Sequence, residues 1–332
     1  MICRRGGGAF DVVALGELLI DFTYAGVSQN GMRLFEQNPG GAPANALIAL
    51  ANFGCSAAFI GKVGADMHGD FLRETLNGKH IDTSGLIVDE DAFTTLAFVS
   101  LNAAGERSFA FARKPGADTR LRTEELPRDI IERCGIFHFG SLSLTEEPAR
   151  QATLEAVAFA RASGAIVSYD PNYRAKLWRG EDEAIRMMRD AAVYADVIKL
   201  SEEEVPLLTG ETCCEKGAEK LLERGCSCVA VTLGHKGAAA YMAKASAAVP
   251  ARHVPVIDAT GAGDAFWGGF LFQIVERGLT RNTLKDIDSR SLTDFVAFAN
   301  AVAALCVQKR GGIPAMPHLE EVKRFLSENN NR

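Results

Sequence analysis

Short apolar runs alternate along the chain with longer stretches whose apolar residues recur every three or four positions. Parallel strands buried on both faces are apolar throughout, whereas the helices that connect them show a single apolar stripe. The alternation therefore predicts an α/β protein with a mostly parallel sheet. Residues 12–15, 57–63, 136–139, 166–169, 197–200 and 229–233 predict buried strands. Residues 43–53 predict a helix that begins at Pro43 and stops at Gly54, and 147–162 and 182–194 predict two more. Late in the chain, 262–276 and 292–309 predict two long helices.

One region breaks this rhythm. Residues 94–101 and 106–113 flank Asn102-Ala103-Ala104-Gly105, the pattern of a β-hairpin around a glycine-containing turn. Side chains alternate along a strand, so Phe109, Phe111 and Arg113 share one face of its second arm. With residues 17–35 the hairpin is expected to form a small separate sheet, either a lid over a cleft or a surface decoration. No repeat or low-complexity tract separates the two parts. The expectation is one domain over 10–326, with a lid from about 17–37 and 93–114 inserted in it and a frayed tail at 1–9.

The 332 residues are 47% hydrophobic and 23% charged, enough to bury a sizeable core. A net charge of −6, with no dense basic run beyond Arg4-Arg5, argues against nucleic acid or an anionic membrane as partner. It leaves phosphate open, because backbone amides bind phosphate without net positive charge. No apolar stretch reaches the ~18 residues of a membrane span, and no secretory leader is legible. Eight scattered cysteines without a C-x-x-C pair predict neither zinc nor a disulfide framework, and fit a reducing cytoplasm.

The strongest chemical signal is Asp258-Ala259-Thr260-Gly261-Ala262-Gly263-Asp264. A glycine turn opening a long apolar helix aims unpaired amides at one spot beside the positive end of the helix dipole, which makes an anion site. An acid there suits a base that takes a hydroxyl proton as phosphate arrives; by itself it also suits plain first-turn chemistry. Asn38-Pro39-Gly40-Gly41-Ala42-Pro43-Ala44-Asn45 lets backbone approach a ligand closely and offers the donor and acceptor of Asn45 to a polyol. A turn before a proline-initiated helix explains the same string. Asp21 ends an apolar run where α/β folds place ligands. Asp170-Pro171-Asn172-Tyr173-Arg174 ends another, with Arg174 able to hold an anion or merely to pack on Trp178. Acids after Lys199-Leu200-Ser201 could organise a hydrated Mg²⁺ or simply cap a helix. Thr232-Leu233-Gly234-His235-Lys236-Gly237 could cradle a nucleotide, with His235 on an exposed turn.

Two motif classes are absent. Gly61-Lys62 lacks both the earlier glycine and the following hydroxyl residue of a P-loop, since Ser56 and Val63 stand there. No G-x-G-x-x-G follows an N-terminal strand, which removes a dinucleotide-binding oxidoreductase.

Together these motifs resemble the ribokinase-like (PfkB) carbohydrate kinases from about Val12 to Leu326. Gly40-Gly41-Ala42-Pro43-Ala44-Asn45, followed by Gly54 and Gly64, is similar to the first signature of that family. Asp258 to Asp264, followed by Gly268-Gly269-Phe270-Leu271, is similar to the second. The resemblance implies a three-layer α/β sandwich with a small β-sheet lid. It also implies Asp264 as catalytic base, with Gly261, Ala262 and Gly263 as the anion hole.

By the same resemblance Asp21, Gly41 and Asn45 hold the sugar, and Gly40, Phe109, Arg113 and Arg174 are further candidate sugar contacts. ATP meets Ser201, Glu204, Thr232, Gly234, Gly237 and Asn300. Glu204 serves Mg²⁺ through water, and Asp258 and Thr260, with backbone carbonyls near Cys306, Lys309 and Gly311, hold a monovalent cation such as K⁺. A cytoplasmic homodimer formed through the lid completes the expectation. The chain departs from the pattern at Ser201, where the family has asparagine, and at Leu47, Ala259 and Ala315.

Residues 105–118, 138–141 and 309–317 are worded most like bacterial and plant fructokinases. Asp-x-Asn-Tyr-Arg and a lid arginine are shared with 2-keto-3-deoxygluconate kinases, where Arg113 and Arg174 would suit a carboxylate. The expectation is phosphorylation of the primary hydroxyl of a ketose, D-fructose first, with an acidic keto sugar or a ribose-type acceptor as alternatives. A catalytically silent sugar sensor on the same fold is the remote one.

Overall fold

The computed structural model describes residues 10–101 and 107–329, with backbone alone for 100, 101, 107–109 and 329. The expected tail at 1–9 and the whole of the hairpin turn at 102–105 fall outside the described residues.

In chain order the elements are β1 (Phe10–Leu15), β2 (Leu19–Val27), β3 (Arg33–Gly40), α1 (Ala42–Asn52), β4 (Ala57–Gly64), α2 (Met67–Gly78), β5 (Asp82–Asp89), β6 (Leu96–Leu101) and β7 (Arg107–Ala112). Then come α3 (Arg128–Glu132), β8 (Cys134–Gly140), α4 (Ala149–Ala162), β9 (Ile166–Asp170), α5 (Glu181–Ala192), β10 (Val197–Ser201), α6 (Glu204–Thr209), α7 (Cys214–Glu223) and β11 (Cys228–Thr232). The chain ends with β12 (Ala238–Tyr241), β13 (Ser246–Val249), α8 (Ala262–Glu276), α9 (Ser289–Cys306) and α10 (Leu319–Asn329).

Nine strands form one sheet in the order β13-β12-β11-β10-β9-β8-β1-β4-β5. Every pairing from β11 across to β5 is parallel, and the β11–β12 and β12–β13 pairings are antiparallel, so β12 alone of the nine runs against the rest. Alternation sorts side chains onto two cores. Val12 and Ala14 of β1 face a core with α1, α8 and α9, while Val13 and Leu15 face a second with α4, α5 and α7. A strand apolar on both faces is thus sandwiched between helical layers, as the apolar runs imply. The chain leaves β1 for β4 on one side and returns as β8 on the other. That reversal of strand order opens a crevice at the carboxyl ends of the central strands, where α/β sheets bind ligands.

A separate four-stranded sheet has the order β3-β2-β6-β7. The β6–β7 hairpin expected from the sequence is antiparallel, and β2 joins it in parallel. The predicted helix ends shift by a few residues: the last long helix spans Ser289–Cys306 because Asp288 caps its first turn through the amide of Ser291.

Candidate active site

Two glycine turns, each opening a helix, meet at the crevice. Gly41 caps the start of α1 with φ 120°, a conformation that favours glycine, and a Cβ there would strike the carbonyl of Glu17. The next amide, Ala42 N–H, donates to Glu17 Oε1 at 2.9 Å, locking the turn after β1 to the start of α1. A Cβ at Gly40 would strike the carboxylate of Asp21, so Gly40 is the vacancy into which Asp21 fits.

One turn into α1, Asn45 Nδ2 donates to Asp264 Oδ2 at 2.7 Å, across 219 residues of sequence. Asn45 Oδ1 is buried without a partner, a free acceptor at the cavity wall. Asp264 stands in the first turn of α8. That helix starts at Gly261 in the left-handed conformation, φ 76°, and no side chain caps its first amides. Ala262 N–H donates to Ala259 O at 3.3 Å, and the amides of Gly261 and Gly263 on either side of it are donors open to an anion.

These groups line one cavity of about 210 Å³, with Asp21, Asn45, Phe111, Arg174, Lys199 and Asp264 in its wall. Its acids are strongly perturbed. Burial, then repulsion from Asp170, raises the pKa of Asp264, opposed by Lys199, the Asn45 hydrogen bond and Arg174. Burial pushes Asp21 up to about 6, Arg174 opposing and Asp264 and Asp258 adding. Burial likewise lifts Glu17 to about 7. A carboxylate held at raised basicity beside open amides can take a proton from a hydroxyl while the amides stabilise an arriving anion.

The neighbouring strand ends are tied together. Glu204 Oε1 accepts from Tyr173 N–H at 2.7 Å and Oε2 from Ser201 N–H at 2.8 Å, bridging the segments after β9 and β10. Asp170 Oδ1 accepts from Asn172 N–H at 3.1 Å, and Oδ2 from Lys199 Nζ at 2.7 Å. Thr232 sits beside Ser201 in the register of β11 and β10 and donates to Leu200 O at 3.3 Å. Gly234 and Gly237, both at positive φ, bound the turn that follows, and Gly237 lies tight against residues 249–251.

Asp258 organises a second centre next to α8. Its Oδ1 accepts from the amide and hydroxyl of Thr260 at 2.9 and 2.8 Å, and its Oδ2 accepts from Gly311 N–H at 3.0 Å. Cys306 Sγ lies 3.8 Å from Thr260 O, and Lys309 N–H donates to Cys306 O at 3.1 Å. The segments expected to hold a monovalent cation are thus brought together around one carboxylate. Among the described residues no cluster of three or more His, Cys, Asp or Glu forms a dedicated metal cage.

Two residues expected to meet ligands have partners within the protein. Arg113 does not reach the sugar side: it is buried, with Nε and Nη2 on Asp118 Oδ2 at 2.8 and 2.6 Å, Nη1 on Thr145 Oγ1, and Nη2 also on Leu142 O. A buried guanidinium needs such partners, and they hold it away from the cavity wall. Asn300 Nδ2 donates to Val249 O at 3.0 Å and ties α9 to the end of β13. The side chain of Phe109 lies outside the described residues, and Phe111, two positions on, lines the cavity.

Glu17, Asp170 and Lys199 were not singled out from the sequence. A lysine inside an otherwise apolar buried strand is itself the signal that would have found Lys199, since a buried ammonium requires a reason.

A crevice at the carboxyl ends of parallel strands, with a base beside an amide-lined helix start and no P-loop, defines an α/β phosphotransferase. The chain matches the pfkB family carbohydrate kinases over residues 9–319 and belongs to that family. Fructokinase-1 of Zea mays is 42% identical over 320 residues, covering 96% of this chain and 98% of the relative. A fructokinase from Xylella fastidiosa with bound ATP superposes at a TM-score of 0.90 and 35% identity, covering 96% of this chain and 99% of that one. A double mutant of the fructokinase from Vibrio cholerae, bound to fructose, ADP and a potassium ion, superposes at 0.84 and 33% identity, with coverage of 96% and 99%.

Proposed function

We propose that this carbohydrate kinase transfers the γ-phosphoryl group of ATP to the primary hydroxyl of D-fructose, giving fructose 6-phosphate and ADP. The observation that carries the reading is Asp264, half-buried at the start of α8 and hydrogen-bonded to Asn45, in the cavity that Asp21 also lines. Asp264 accepts the hydroxyl proton as the sugar oxygen bonds to the γ-phosphorus. The bond to the bridging oxygen breaks, and its electron pair leaves with ADP. The amides of the Gly261–Gly263 turn stabilise the charge spread over the transferring group, Ala262 N–H turning from Ala259 O to do so. Asp21 and the free Oδ1 of Asn45 accept from sugar hydroxyls, which suits a neutral polyol.

Ser201, Thr232, Gly234 and Gly237 lie at or just after adjoining strand ends, the place for the nucleotide. Glu204 has a backbone amide on each oxygen, so Mg²⁺ is served through water from its remaining lone pairs. The segments around Asp258 suit a K⁺ ion held mainly by carbonyls. We read residues 10–326 as one kinase domain, with the small sheet (17–37 and 93–114) as its lid. The exposed Tyr24, Leu34, Phe35 and Phe98 on that sheet suit pairing with a second copy of the chain. No helix among the described residues is long and apolar enough to cross a membrane; with its scattered free thiols, this suits a cytoplasmic enzyme.

One observation favours a second acceptor: Arg174 lines the cavity and could face a sugar carboxylate. Against it, an anionic sugar must approach Asp21 and Asp264 together, and Arg113 is spent on Asp118. ADP release measured over fructose, glucose, ribose, 2-keto-3-deoxygluconate and adenosine decides. Fructose is expected to saturate lowest; saturation at low 2-keto-3-deoxygluconate with fructose barely turned over would overturn the acceptor.

A further inference from the structure

Lys199 is buried in β10 and lines the reaction cavity, although nothing in the function described above uses it. Its Nζ donates to Asp170 Oδ2 at 2.7 Å, both side chains being almost wholly enclosed. The ammonium also lies against the anion hole: a Cβ placed on Gly263 would stand 3.1 Å from Nζ and 3.6 Å from Cε. A side chain at Gly263 would therefore crowd the lysine head, which would have to shift. Burial alone would lower the lysine pKa, but Asp170, Glu204 and Asp264 outweigh it and keep the ammonium charged. Asp170 is in turn oriented by Asn172 N–H on its other oxygen, so the pair is held in place before any substrate arrives.

This arrangement addresses a charge problem. Asp21, Glu17 and Asp264 make the cavity acidic, yet the polyphosphate chain of the nucleotide must enter it. Arg174 and Lys199 are the cations in its wall, and only Lys199 is packed against the glycine turn. An ammonium carries three donors, and Asp170 takes one of them here.

We propose that Lys199 is a catalytic residue of the phosphoryl transfer: its ammonium, positioned by Asp170, contacts the transferring phosphoryl group beside Gly263 and balances the charge that Asp264 and the nucleotide bring together. The inference rests on the kinase reading and adds a residue to it. Lys199 gives up no proton in the step; the proton goes to Asp264 and the electron pair to ADP.

The test compares the wild-type chain with Lys199→Met, Lys199→Arg and the double variant Lys199→Met/Asp170→Asn. Turnover is measured with fructose, and affinity for ATP and for ADP by calorimetry without sugar. Lys199→Met is expected to lose about 10²–10³-fold in turnover, the range for removing one preorganised donor. It should also lose about tenfold in ATP affinity while ADP affinity stays within about twofold, because only the γ-phosphate is deprived of a charge-assisted hydrogen bond. Lys199→Arg keeps the charge and should retain the preference for ATP.

The double variant removes the unpaired charge of Asp170 together with the lysine, so its Tm should recover part of the loss seen in Lys199→Met while turnover stays low. Turnover within about threefold of wild type in either Met variant, or equal losses for ATP and ADP, would reduce the pair to a structural ion pair. A wild-type chain inert toward fructose would instead sink the acceptor reading, and the comparison of nucleotides alone would still decide Lys199.

Discussion

Asp21→Asn exposes a trade between stability and function that can be worked from the structure. Burial raises the carboxyl from 3.8 to about 6, so the folded chain binds a proton across a window in which the unfolded chain does not. A raised carboxylate makes the folded state more stable below 3.8, and that stability is lost as pH rises to about 6. About two pH units at about 1.4 kcal/mol each amount to about 3 kcal/mol of destabilisation at neutral pH, an order-of-magnitude figure. An uncharged Asn of the same shape removes it. Differential scanning fluorimetry should show a Tm gain of a few degrees at about pH 7.5 that fades by about pH 4. In the same variant the KM for fructose should rise steeply, since the amide cannot accept from two vicinal hydroxyls as a carboxylate does. A gain of equal size at both pH values, or a normal KM, would refute the reasoning.

Three further outcomes are expected. Asp264→Asn keeps a polar partner for Asn45, so Tm should hold or rise while turnover falls about 10²–10⁴-fold, the range for a lost general base; steady-state rates on folded protein check it, and near-normal turnover removes the assignment. Arg113→Ala strips the buried Asp118 of its counter-ion and should cost about 3–5 kcal/mol in urea unfolding. An unchanged midpoint with a raised sugar KM would restore Arg113 to the sugar side. K⁺ should support faster turnover than Na⁺ or a bulky organic cation, and Asp258→Ala should erase the difference by freeing Thr260 and Gly311 from their shared carboxylate; equal rates in all three salts for the wild-type chain would leave that centre unused.

Much of the fold was legible before any coordinates, for a definite reason. Apolar runs report burial on both faces, and burial on both faces of a strand requires helices above and below, so the sandwich follows from residues such as 12–15 and 229–232. The helix beginning at Ala262 and the glycine turn before it were equally plain, because capping and dihedral preference are local properties. The motifs around Asn45 and Asp264 also marked themselves, each within a few residues. What no local pattern carries is who meets whom. Arg113 and Arg174 read alike in the sequence, but Asp118, Thr145 and the carbonyl of Leu142 take the first, while the second opens on the cavity. Asn300 was spent on the carbonyl of Val249, and Lys199 was drawn from β10 to Asp170 and the back of Gly263. Each outcome depends on the crossing of distant strands and helices at one crevice, where a buried charge or amide must find its partner or unfold the site. Composition and periodicity decide which residues are buried; only the closed packing of the two layers on the sheet decides which of them face the substrate.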